Sequence, residues 1–163
     1  MVATPLAGTI TAIEWGGDNK HITELTITSV PLIVTTNASK GDGKPIYTLP
    51  AGKVIIKSAA MNIGIVGTAA LNVADTPDLG LGTVVASGAV SVLSGTATFE
   101  NIMTGQTVGA CANTKTVAAV DTILSIPTAN AHTVYLNIAD GWAGIDAGML
   151  ATGKIVLEWQ YLD

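Results

Sequence analysis

The chain is 163 residues long with a formal charge of −5, and only 12% of its residues are charged, against about 25% in ordinary soluble domains. Every cation is a lysine, scattered at Lys20, Lys40, Lys44, Lys53, Lys57, Lys115 and Lys154, which argues against nucleic acid and anionic membranes as partners, because both are gripped by arginine forks or clustered basic faces. The length suits one domain, and 48% hydrophobic residues beside so few charges leave little polar surface to cover a monomer, so part of the chain is expected to face other protein.

Residues 1–7 precede any regular pattern and read as an extended arm, with Val2, Pro5 and Leu6 as candidate interface residues. Thr9 to Trp15 alternates cleanly, with Ile10, Ala12 and Glu14 on one face and Thr11, Ile13 and Trp15 on the other, and Gly16 to Asn19 reads as the turn that closes this strand. Ile22 to Thr28 alternates Thr with Ile and Leu. Pro31, which has no ladder donor, marks a sheet edge, a bulge or a strand start before Leu32. Asn37 to Pro45 is the strongest loop signal, polar and rich in turn formers. Pro50-Ala51-Gly52 suits a tight reversal ahead of a long apolar strand from Lys53 to Ile65. Asp75 to Asp78 reads as another loop. Leu79 to Met103 reads as short β-like pieces broken by Gly80, Gly82, Gly88 and Gly95, and Gly105 to Thr122 shows no clear pattern. Leu124 to Pro127 and Thr133 to Ala139 are strand candidates, Asp140 to Met149 holds room for a helical turn, and Lys154 to Leu162 places Ile155, Leu157, Trp159 and Tyr161 on one face.

Short strands with frequent turn signals and no long amphipathic helix predict an all-β fold. The expected architecture is a jelly-roll-like or Greek-key β-sandwich, a single domain over residues 8–163 preceded by the arm. Residues 1–5 lack the basic and apolar regions of a signal peptide, and the apolar stretches are interrupted, so synthesis in the cytoplasm without a membrane span is expected.

Chemistry is sparse. His21 and His132 have no partner at ligand spacing, and Asp42, Asp75 and Asp78 read as turn formers rather than calcium ligands. Glu14, Glu24, Glu100 and Glu158 lie in or beside strands where sequence cannot pair them as a glycosidase would require. No nucleophile elbow, zinc-protease helix or phosphate loop is present. Cys111 is a lone cysteine and reads as a small apolar filler. No catalytic residue, cofactor or metal is expected, and the chain is not expected to be an enzyme. Among the tryptophans, Trp159 reads as core, whereas Trp142, in a Gly-rich loop, is the strongest candidate for a subunit contact.

Several segments together resemble the head decoration (cement) proteins and related virion structural proteins of tailed bacteriophages. They are Tyr47-Thr48-Leu49-Pro50-Ala51-Gly52, Leu81-Gly82-Thr83, Ser87-Gly88, Val134 to Asp140 with Trp142, and Ala151 to Leu157. The resemblance implies a non-enzymatic protein on the capsid surface of the virion that binds the major capsid protein and itself as a homo-oligomer, a trimer among the arrangements open to it. The alternative is a tail, fibre or other β-sandwich module that binds a glycan through exposed aromatic residues.

Overall fold

The computed structural model describes residues 10–17, 19–32, 40–67, 73–94, 97–126, 131–140 and 149–162. Within them the chain forms nine strands: β1 (Ile10–Gly17), β2 (Lys20–Leu32), β3 (Gly41–Leu49), β4 (Val54–Gly67), β5 (Asp78–Gly82), β6 (Met103–Thr107), β7 (Ala112–Ile126), β8 (His132–Ala139) and β9 (Met149–Tyr161), with one short 3₁₀ turn at Ala97–Phe99. Two antiparallel sheets result, ordered β1-β2-β9-β4-β7 and β3-β8-β5-β6. The expected all-β sandwich is the fold observed. Apart from the β1–β2 and β5–β6 connections, successive strands lie in opposite sheets, so the chain repeatedly crosses the core.

That core follows from period-two alternation. Leu25, Ile27, Ile56, Met61, Ile63, Ile155, Leu157 and Trp159 of the larger sheet meet Leu49, Leu79, Leu81, Val134, Leu136 and Ile138 of the smaller one in one buried cluster. The last strand, β9, inserts between β2 and β4, which explains its buried face of Ile155, Leu157 and Trp159.

Several expectations need correction. β2 runs on through Pro31 to Leu32 instead of ending before it. A bulge between Ile27 and Val30 bends the strand, and Ser29 there takes a left-handed conformation (φ 50°). Among the described residues the β1 ladder reaches Ile27 and no strand pairs with β2 at Pro31 on that side, where a missing N–H is tolerated.

The predicted loop before Tyr47 is in large part strand, since Gly41 to Pro45 pair with β8 at the edge of the smaller sheet. Their turn-forming composition has a packing cause. A Cβ at Gly43 would collide with the Asn137 side chain, and Pro45 sits at a register shift, a position that suits it. In the same way Asp42 and Asp78 belong to strands rather than turns. The unread segment after Gly105 resolves into the end of β6 and the long edge strand β7, which also takes in Leu124 to Ile126. Conversely, much of Leu79 to Met103 is irregular beyond β5.

That irregular segment forms a lid on the outer side of the smaller sheet. Asn137, fully buried, accepts from the Ala86 N–H (2.9 Å) and donates to the Val84 and Phe99 carbonyls (2.9 and 2.6 Å). Around it Ala86, Leu93 and Ala139 make a second small apolar cluster with Val90 and Phe99. From Leu136 to Ala139 both faces of β8 are therefore buried, which the alternating sequence of that strand does not announce.

Candidate interaction surface

The larger sheet presents its far face to solvent. Because Leu25 and Ile27 point inward, the β2 residues between them and their cross-strand partners point outward. Trp15 is paired with Ile22, and Ile13 with Glu24. Trp15 is 50% exposed, Ile13 53% and Ile22 44%. Across the sheet Val117 of β7, paired with Asn62, is 76% exposed. The same face carries Lys20, Glu24, Lys154, Glu158 and, opposite Ser58, Asp121, and part of this charge is neutralised. Lys154 bonds Glu24 at 2.6 Å, and the Ser58 hydroxyl donates to Glu158 at 3.4 Å.

Beneath β1, on its inner side, lies a polar corner. The Trp159 Nε1–H donates to Thr23 Oγ1 (2.9 Å), and the Tyr47 hydroxyl donates to Glu14 Oε2 (2.8 Å). Nδ1 of His21 meets Glu14 Oε1 at 2.7 Å. Thr23 also bonds the Tyr47 oxygen, so a continuous run of hydrogen bonds links Trp159, Thr23, Tyr47, Glu14 and His21. The Tyr47 hydroxyl is pushed up to about 12, chiefly by burial; the Thr23 bond opposes this, and the Glu14 carboxylate adds to it. The hydroxyl therefore stays protonated and serves as a fixed donor tying β3 to β1 across the two sheets.

The remaining chemically interesting groups are engaged elsewhere. Glu100 accepts from the Gly105 N–H (2.6 Å) and Asp78 from Thr107 Oγ1 (3.0 Å). The buried Cys111 thiol is pushed up to about 11 by burial, with Asp75 and Asp140 adding to it, so it is a poor nucleophile. Among the described residues no group of three or more His, Cys, Asp or Glu could hold a metal ion, and no helix is long and apolar enough to cross a membrane.

Val2, Pro5, Leu6 and Trp142 all lie outside the described residues, as does the helical turn expected after Asp140. Trp159 is buried, as its strand pattern implies. The sequence did not single out Ile13, Trp15 and Ile22 as a surface. Alternation separates two faces but does not say which one meets the core, and here the face carrying Glu14 turns inward because Tyr47 and His21 receive its carboxylate.

No protein-family profile and no curated protein matches the chain. Among solved structures, an arabinose-bound α-L-arabinofuranosidase is similar at 9% identity and a TM-score of 0.31, over 96% of this chain and 23% of that one. This chain thus spans about a quarter of that protein's length, and a likeness at this level carries no argument about activity.

Proposed function

We propose that this protein is a non-enzymatic decoration protein of a tailed-phage head, which binds the shell of the major capsid protein and reinforces it. The observation that carries this reading is the outward face of the larger sheet, where Ile13, Trp15 and Ile22 stand exposed beside one another on β1 and β2, with Val117 exposed on β7. A broad sheet face of this kind can be covered by another protein at little desolvation cost. The resemblance of the Tyr47 to Gly52, Val134 to Asp140 and Ala151 to Leu157 segments to cement proteins supports the same reading. Many weak contacts repeated over a lattice would give such a protein its grip. Density-gradient fractionation of a native lysate, with the protein followed by peptide mass spectrometry, tests this. Co-migration with virion-sized particles at a copy number near that of the shell protein is expected, and residence wholly in the soluble fractions would overturn it.

Half-exposed Trp15 beside Ile22 favours one second reading, a glycan-binding module, since a flat indole on a sheet can stack on a sugar ring. It predicts saturable sugar binding that disappears in Trp15→Ala.

A further inference from the structure

We propose that β1 is a self-association edge: it pairs antiparallel with β1 of a second copy across a two-fold axis, joining the two larger sheets into one. This inference does not rest on the shell-binding reading, although Ile13 and Trp15 belong to both surfaces, and the oligomeric mass tests it without a shell present.

Of the four sheet edges, three carry features that discourage strand addition. β3 has Lys44, Pro45 and a register shift, β6 is only five residues long, and β7 carries two register shifts against β4 together with Asp121. β1 shares only one of these features, a carboxylate, and that one, Glu14, is held by His21 and Tyr47. The strand is eight residues long, contains no Lys or Pro, pairs with β2 without a register shift, and is exposed at every position after Ile10. Among the described residues no strand covers its outer edge.

The hydrogen-bond phase of that edge follows from the hairpin. Gly17 pairs with Lys20 across a two-residue connection, which makes them a hydrogen-bonded pair. Trp15, Ile13 and Thr11 therefore direct their backbone groups at β2, and Ala12 and Glu14 direct theirs at the free edge.

One self-pairing satisfies these groups without a charge conflict. With Ile13 opposite its symmetry mate, Ala12 of each copy exchanges both backbone bonds with Glu14 of the other, and Trp15 lies opposite Thr11. The two Ile13 side chains then form a non-hydrogen-bonded pair, the arrangement in which cross-strand side chains approach most closely. The two Glu14 carboxylates do not face one another, and each is already held by His21 and Tyr47 of its own copy. Glu24, the outward charge beside Ile13, is neutralised by Lys154. Apolar matter meets apolar matter, and no like charges are brought together.

Multi-angle light scattering on the purified full chain, across micromolar concentrations, tests this with three variants. Wild type is expected at twice the chain mass. Ile13→Lys places like charges at the axis and should weaken the dimer about tenfold or more, giving the single-chain mass with an unchanged far-ultraviolet spectrum. Ala12→Pro removes only an edge-directed N–H and should do the same. Val117→Lys, on the opposite edge, should stay dimeric. A wild-type chain of single or triple mass, or an Ile13→Lys variant that keeps the double mass, overturns the proposal, and the Ile13→Lys result decides it if Ala12→Pro fails to fold.

Discussion

His21 lies flat on Trp159, with ring centroids 4.0 Å apart and planes 7° from parallel, and the two face each other as cross-strand partners on β2 and β9. The imidazole covers the indole at the corner where the sandwich would otherwise open. Its Nδ1 is anchored on Glu14 while the indole N–H is anchored on Thr23. A stacked pair of this kind contributes about 1 kcal/mol beyond burial, so His21→Ala should lower the melting temperature by about 2–4 °C in calorimetry.

Thr23 sits at the centre of this corner and is fully buried. Thr23→Val keeps the shape but leaves the Trp159 N–H without its acceptor and takes a partner from Tyr47. An orphaned buried donor costs about 2 kcal/mol, so the melting temperature should fall by about 4–8 °C. Thr23→Ser, which restores the hydroxyl, should recover most of that loss.

Alkaline titration should reveal the same corner. The Tyr47 phenol is raised from 10.0 to about 12, so its neutral form is favoured by folding. Its contribution is complete below pH 10 and is lost as pH rises towards 12. Unfolding free energy measured by denaturant titration should therefore fall more steeply over that window in wild type than in Tyr47→Phe.

Asn137 holds the lid over the smaller sheet with three hydrogen bonds. Asn137→Ala would leave the Ala86 N–H and the Val84 and Phe99 carbonyls unpaired, a loss of about 3 kcal/mol. Limited proteolysis should then cut within residues 83–94 well before the strands, whereas wild type resists there.

Cys111 should be inert in the folded protein. With its thiol raised to about 11 and its side chain buried, Ellman's reagent at pH 8 should react only on addition of denaturant.

Much of the fold was legible in the sequence, because clean alternation in Ile10 to Trp15, Val134 to Ala139 and Ile155 to Tyr161 marks strands, although it does not show that the lid covers the outer face of β8. Legibility failed where tertiary contact overrode local signal. Gly41, Gly43 and Pro45 look like a loop, yet Gly43 is small because Asn137 fills the space beside it. β7 hid because Ala118 and Ala119 give an edge strand little contrast between its faces. The interaction surface was hidden for a different reason. Nothing local tells which face of β1 meets the core, and the answer lies in Tyr47, 33 residues from Glu14.

We propose that the exposed sheet face grips a capsid shell. Adding the purified protein to undecorated head shells of tailed phages, and following their melting by calorimetry, tests this. A saturable rise in shell melting temperature is predicted, weakened in a Trp15→Ala, Val117→Ala double variant that itself melts as wild type does. An unchanged shell transition at saturating protein would contradict the account.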